Sequence, residues 1–383
     1  MKQLAYVMFS VVYYIACLLP VNKNRYFCVM THDASDDSSV GVVVKAIKKK
    51  YPDAVFTYVK KEDRKLTSLA GLIFVKAAYL AVSGTVLMDN EFLPLAYTRI
   101  RKNVKVIQLW HGTGTIKKFG HDINEGRMLR LVTRADRRIT HLIVNSDYTK
   151  DLYRKAFGVS KDRIYVTGIP RTDILFSEEG KKRCMEEFFN VYSFLKGRKL
   201  ILYAPTFRDN EVKVPKCMLD FDRWVSETDD DTVLLIRLHP HVSAAYDDAN
   251  LKKYNGKVLN VSSYDDVNTL LFVSDALITD YSSIIFEYIL LNRPMYFYAY
   301  DLKLFSDDDR GFYENYEEYV PGEVVLNMDE LMTAVKSEDR YENIRLSFKN
   351  AAYRYTDGKS TERFMELLGA IHGTATPNSH SSP

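Results

Sequence analysis

After Pro20 the chain alternates short β-rich apolar runs with stretches of helical period, and that alternation constrains the fold more than any other feature. Residues 25–30 read as a strand, 40–50 as a helix and 54–59 as a strand; 66–82 then reads as a helix carrying one lysine, Lys76. Buried strands are expected at 85–89 and 104–109, and again at 141–145 and 164–167, where Gly168 and Pro170 end the last one. Strands interleaved with helices predict a parallel, doubly wound α/β sheet.

A charged, less periodic stretch, 177–198, leads into a second run of alternation. Strands are expected at 200–204, 233–238, 258–260, 276–279 and 295–298, with a helix at 282–291 between the last two. The length of 383 residues, 46% of them hydrophobic, suits two medium domains with substantial cores. Two Rossmann-like halves joined by a linker form a GT-B-like architecture, whose active site is expected in the cleft between an N-terminal domain, 21–190, and a C-terminal domain, 191–370. The end of the chain, 371–383, is small, polar and proline-containing from Gly373 on, and is expected to be disordered.

Residues 4–19 are almost wholly apolar, interrupted by Ser10 and softened by Tyr13 and Tyr14. Such a run is just under the roughly 17–25 residues of a spanning helix, and only Lys2 precedes it as a charge. A retained helix lying in or dipping into a membrane fits residues 1–20, with a buried first helix of the core as the alternative. The formal charge of +3 gives no global basic field, which argues against general nucleic-acid binding. Cys17, Cys28, Cys184 and Cys217 lie far apart with no CxxC pair, so neither a disulfide framework nor a zinc knuckle is indicated and a reducing cytoplasm fits.

The second half holds three candidate anion-binding segments. In 276–283 a buried strand delivers Asp280, a good N-cap residue, to the apolar helix that follows, so that free N–H groups and the hydroxyls of Ser282 and Ser283 would serve a phosphate. An ordinary capped helix is the alternative. In 237–240 strand alternation puts Arg237 and His239 on one face, flanking Leu238; an arginine and an imidazole there suit a departing group that gains negative charge. In 204–209 another strand end offers Pro205, Thr206 and a guanidinium, Arg208.

In the first half the strand 104–109 runs into Trp110-His-Gly-Thr-Gly-Thr115, followed by Lys117 and Lys118. Gly112 and Gly114 permit a tight turn around Thr113, and the absence of GxxxxGK[ST] excludes a Walker A loop. His111, at a strand end across the cleft from the phosphate site, is the best general base, because imidazole titrates near neutrality.

WHGT, GIPRTD, YAPTFRD, RLHP, ITDYSSIIFEY and RGFY occur in the order and at roughly the spacing of the CDP-glycerol glycerophosphotransferase family of teichoic acid synthesis. The chain resembles that family over about residues 22–322, and in length it is similar to the shorter primer-type members. The resemblance implies a CDP-glycerol or CDP-ribitol donor contacted by His111, Gly112, Thr113, Gly114, Thr115, Arg171, Pro205, Thr206, Arg237, Leu238, His239, Ser282, Ser283 and Glu287. It also implies an undecaprenyl-diphosphate-linked glycan acceptor and no cofactor. Two positions depart from the family: Glu287 stands where Asp is usual, and Gly114 where Pro is usual. The longer carboxylate would reposition a hydroxyl contact, and Gly114 would loosen the loop behind His111.

The mechanism so implied is an in-line displacement at phosphorus, with His111 and His239 as the catalytic imidazoles. Arg127, Arg130, Arg134, Arg137 and Arg138 recur at helical spacing and form a basic stripe suited to an anionic membrane surface, or else a solvated face with salt bridges. The aspartate runs 229–231 and 307–309 read as loop charges, and no metal is assigned.

Overall fold

The computed structural model describes residues 2–208, 216–308 and 311–372. The tail from Gly373, Asp209 of the YAPTFRD motif, Asp309 and Arg310 lie outside the described residues.

Two compact units are present. The first holds a six-stranded, all-parallel sheet of β1 (Asn22–Met30), β2 (Val55–Lys60), β3 (Ser83–Met88), β4 (Lys105–Gln108), β5 (His141–Val144) and β6 (Ile164–Val166), in the order β2-β1-β3-β4-β5-β6. Every residue of β3 and β5 is buried, as expected of parallel strands covered on both faces.

Helix α1 (Lys2–Ala16) buries one stripe, Ala5, Phe9, Tyr13 and Ala16, with Phe9 edge-on to Phe92. Tyr13 donates to the Arg99 carbonyl at 3.1 Å, and Tyr14 accepts from the Arg99 N–H at 3.0 Å. The segment is thus a helix of the first unit, not a free-standing one. Among the described residues no helix is long and apolar enough to cross a membrane. Helix α2 (Ser39–Lys50) starts at Ser38, whose side chain accepts from Gly41 N–H, a cap whose loss costs about 1 kcal/mol. It buries Val40, Val43, Val44 and Ile47, the spacing of one helical face.

The helix expected at 66–82 is broken into a 3₁₀ turn (Leu66–Ser68), a π turn (Gly71–Lys76) and α3 (Ala77–Val82). The Ala77 N–H reaches the carbonyl of Leu72, five residues back, which widens the coil. Lys76 is drawn aside to the Tyr58 carbonyl and to Asp63 at 3.8 Å. The arginine stripe lies on α4 (Gly126–Asp136) only as far as Arg134; Arg137 and Arg138 follow its end.

The second unit carries a sheet of the same type: β7 (Lys199–Tyr203), β8 (Thr232–Ile236), β9 (Val258–Asn260), β10 (Ala276–Thr279), β11 (Met295–Tyr298) and β12 (Glu323–Val325), ordered β12-β11-β10-β7-β8-β9 and all parallel. Its core gathers Trp224, Leu234, Ile236, Ile278 and Leu331, all fully buried. Strand β12 has no counterpart among the strands expected from the sequence, the last of which is 295–298.

The stretch 177–198 contains a helix, α5 (Glu178–Val191), capped by Ser177 on Gly180 N–H. It buries only Gly180, Cys184 and Phe188, one residue per turn, too thin a stripe to stand out among its charges. Cys184 joins Leu175 and Phe272, so the second unit begins at Ile174 and not near residue 191. At its other end the chain leaves the second unit after Ala352 and returns to the first. There α6 (Ser360–His372) packs Phe364, Met365 and Leu368 into the core with Val43, Ile47, Leu87 and Ile107. The expected boundary at 370 therefore falls inside a helix of the first unit. Residues 114–118 also group with the second unit.

Candidate functional site

In the first unit the strand order reverses beside β1 and β3, where open α/β sheets take ligands at the carboxyl ends of their strands. Asp89, directly after β3 and 1% exposed, is the hub of this edge. Its carboxylate accepts backbone N–H groups of Thr31 at 3.0 Å, His32 at 3.3 Å and Asp33 at 3.1 Å, which pins the loop leaving β1. Its carbonyl lies 2.8 Å from His111 Nδ1. A carbonyl can only accept, so Nδ1 carries the proton and Nε2 keeps its lone pair. The His32 ring lies flat on that of His111, with centroids 3.8 Å apart and planes 11° from parallel.

Burial drives His111 down to about 3, with the charges of His32 and Arg171 acting the same way and the Asp89 carbonyl opposing them. The imidazole is therefore neutral at physiological pH. Burial also lowers His32, again with help from Arg171, and raises Asp89 to about 6 against the pull of its three N–H donors.

Trp110 turns the chain after β4 with φ of 57°, a left-handed conformation that costs a bulky residue roughly 1–2 kcal/mol. The turn is held by the Trp110 N–H on Gln108 Oε1 at 3.1 Å and by the indole packing on Phe119 and Phe157. Beyond it the Gly112 carbonyl accepts from Tyr153 at 2.9 Å, and Thr113 accepts from Arg171 Nη2 at 3.4 Å. His111, Gly112, Thr113 and Arg171 thus form one group.

In the second unit Pro205, Thr206, Leu238 and His239 line a single open pocket with Phe207 and Tyr300. The His239 ring stacks on Phe207 at 4.1 Å, and the buried Thr206 hydroxyl has no hydrogen-bond partner among the described residues. Strand β8 ends at Ile236, so strand alternation does not reach Arg237 and His239. The Arg237 guanidinium donates to the Tyr264 carbonyl at 2.6 Å, and burial lowers its pKa against the pull of Asp266 and Asp265.

Asp280 is not an N-cap. It is 1% exposed, its Oδ1 accepts from Thr206 N–H at 2.7 Å and Tyr281 N–H at 2.6 Å, and its Oδ2 pairs with Arg208 at 2.6 Å. The Arg208 guanidinium is not available to a ligand as expected, because Asp301 takes its other face at 2.9 and 3.0 Å. These carboxylates stabilise its charge and offset its burial.

The helix expected at 282–291 is a four-residue turn, Ile285–Tyr288, continued as a 3₁₀ turn, Ile289–Leu291, so no long helix dipole stands behind Ser282 and Ser283. Both serines are half-buried, and Ser282 Oγ accepts from Ile284 N–H at 3.4 Å. Glu287 is 5% exposed. Gly114 faces Phe286: a Cβ there would come within 2.4 Å of the ring, which explains why this chain carries no proline at that position. Thr115 donates to the Lys117 carbonyl at 2.5 Å.

His32, Asp89 and Asp301 escaped the sequence reading. Each stands just beyond a buried strand, but only the pairing of β1 with β3 shows that His32 and Asp89 meet.

The model of the CDP-Glycerol:Poly(glycerophosphate) glycerophosphotransferase family matches residues 11–369. The chain is 34% identical over 372 residues to the teichoic acid poly(ribitol-phosphate) polymerase of Bacillus spizizenii, a match covering 94% of this chain and 58% of that protein. It is 31% identical over 378 residues to the teichoic acid ribitol-phosphate primase of the same organism, covering 93% and 94%. It spans little more than half the length of the first curated relatives it matches. Among solved structures the wall teichoic acid polymerase TagF superposes with a TM-score of 0.80 at 26% identity, covering 95% of this chain and 94% of that one. With most of its length matched by the family model and by relatives above 30% identity, the chain belongs to the CDP-Glycerol:Poly(glycerophosphate) glycerophosphotransferase family.

Proposed function

We propose that the protein transfers a polyol phosphate from a CDP-polyol, foremost CDP-glycerol, to a hydroxyl of an undecaprenyl-diphosphate-linked glycan and releases CMP. The observation that carries this reading, beyond family membership, is His111: its Nδ1–H is committed to Asp89 and its Nε2 is unprotonated and without a hydrogen-bond partner among the described residues. The acceptor hydroxyl attacks the polyol-bearing phosphorus, Nε2 takes its proton, and the bond to CMP breaks in line. A resting imidazole so weakly basic is helped by the anionic donor, whose phosphates favour the imidazolium as it forms. Arg237, His239, Ser282 and Ser283 are assigned to the charge that gathers on CMP.

CDP-ribitol is the second reading for the donor, supported by the two ribitol-phosphate relatives. A nucleotide-sugar transferase would instead release UDP or GDP. The test is incubation with CDP-glycerol or CDP-ribitol and a lipid-linked disaccharide in EDTA, following CMP and the mass of the lipid product. One added polyol phosphate supports a priming enzyme, and a ladder a polymerase. No CMP from either donor refutes the proposal.

The same reading places the protein on the cytoplasmic face of an anionic membrane. Opposite its buried stripe α1 exposes Leu4, Val11 and Ile15 at 65, 52 and 64%, with Leu18 at 88% just beyond it. Phe74 and Val75, on the π turn packed against α1, are also about half exposed. Arg127, Arg130 and Arg134 stand on the exposed side of α4, which, like α1, packs on the Leu93–Tyr97 turn. Apolar side chains beside cations suit a lipid surface, each cation contributing about 1 kcal/mol. Pelleting with phosphatidylglycerol vesicles tests this: Ile15→Asp with Arg127→Gln and Arg130→Gln is expected to stay in the supernatant, and undiminished pelleting would refute it.

A further inference from the structure

We infer that His32 is a positioning residue for the transfer reaction, holding the His111 ring in its proton-accepting orientation and setting the acid limb of the rate. The inference rests on the reading of His111 as the base.

One residue, Asp89, governs both imidazoles. Its carbonyl fixes the tautomer of His111 through Nδ1, and its carboxylate fixes the main chain of His32 through the N–H group. A single hydrogen bond leaves an imidazole free to tilt about the Nδ1–O axis. The His32 ring, parallel to His111 at 3.8 Å and 11°, removes that freedom on one side, and the Trp110 indole, 4.0 Å away at 31°, supplies a second contact. The orientation of Nε2 is thereby set by packing on the ring faces and not by a second hydrogen bond. Stacked face to face, the two rings do not hydrogen-bond to one another, so the contact of His32 with His111 is one of packing and charge.

The stack has an electrostatic consequence. A protonated His32 lies against the ring that must accept a proton, so it opposes His111 imidazolium and slows abstraction. The charged or titratable groups facing the pair are Asp89 after β3, Asp33 beside His32, Lys61 in the turn after β2, and Arg171 in the turn after β6. Burial lowers His32 and raises Asp89 to about 6, so both take up protons on the acid side, and His32→Phe, which removes only the first, tells them apart.

The test compares His32→Ala, His32→Phe and His111→Ala in the full chain, each checked for an unchanged thermal unfolding transition, by CMP release from pH 5 to 9. His32→Ala is expected to lose roughly 10–100-fold in kcat with KM changed less than about threefold, because the aim of the base is lost while donor binding is not. His32→Phe keeps a flat ring without a charge, and should recover most of that loss and carry its acid limb to lower pH. An unaltered kcat and acid limb in His32→Ala, or a His32→Phe enzyme no better than His32→Ala with an unmoved limb, overturns the inference. If His111→Ala itself turns over normally, the reading of the base fails first, and the two failures are told apart by that variant alone.

Discussion

Arg208 bridges Asp280 at 2.6 Å and Asp301 at 2.9 Å, so a single guanidinium ties the carboxyl ends of β7 and β10 to the segment after β11. Tyr281 adds its hydroxyl to Asp301 at 2.9 Å, and Tyr316 donates to the Asp280 carbonyl at 3.0 Å. Removing one partner leaves a buried charge uncompensated. Arg208→Ala is therefore expected to lose about 3–5 kcal/mol in urea unfolding. A loss below about 1 kcal/mol would show that the network does not hold the unit together.

Replacing His111 by alanine is expected to lower kcat by roughly 10²–10⁴-fold with the fold intact. Because its pKa lies at about 3, titration of His111 itself should leave no acid limb above about pH 5. CMP release by the variant at the unsubstituted rate would remove His111 from the mechanism.

His141 offers a stability test outside the chemistry. It is buried against Tyr165, and burial lowers it to about 4 from an ordinary 6.5. Between those values the unfolded chain binds more protons than the folded one, so stability is full above about pH 6.5 and falls as pH drops toward 4. His141→Phe should flatten that decline by on the order of 2 kcal/mol, read as the difference in urea midpoints between about pH 7 and 4.5. Asp89, raised to about 6, works with the opposite sign, so the variant and not the bare profile is the decisive comparison.

Gly114→Ala should destabilise by about 1–3 kcal/mol, because its Cβ meets the Phe286 ring at 2.4 Å. Adding Phe286→Leu should return much of the loss in the double variant. Additive losses would mean that the glycine answers to something other than Phe286.

The two faces of α1 should respond unequally in urea unfolding. Phe9, 1% exposed, is expected to cost about 3–5 kcal/mol when changed to alanine, whereas Ile15→Asp on the far face should change stability by less than about 0.5 kcal/mol.

The strands of both sheets were legible because parallel strands buried on two faces appear as unbroken apolar runs; 141–145 and 276–279 match β5 and β10 to within a residue. Helix α5 was hidden by its single buried residue per turn, and β12 was missed altogether. Of the candidate site the strand-end motifs were legible, and the structure puts Thr113 beside Arg171 and Pro205 beside His239. What each polar group is tied to was not legible. Asp280 resembles a helix cap in sequence because Asp before an apolar run usually is one, yet the buried Arg208 claims it. His32 meets His111 only through a sheet that places β1, β3 and β4 in succession.

The return of α6 to the first unit has a consequence for how the protein is made. Phe364, Met365 and Leu368 complete the apolar layer over α2, but they are synthesised only after all of Ile174–Ala352. The first sheet must therefore wait on the ribosome with that layer uncovered, while the second unit, apart from residues 114–118, has its sequence in one stretch and can close first. A released chain ending at residue 352 should hold a protease-resistant second unit beside a first unit that is still digested.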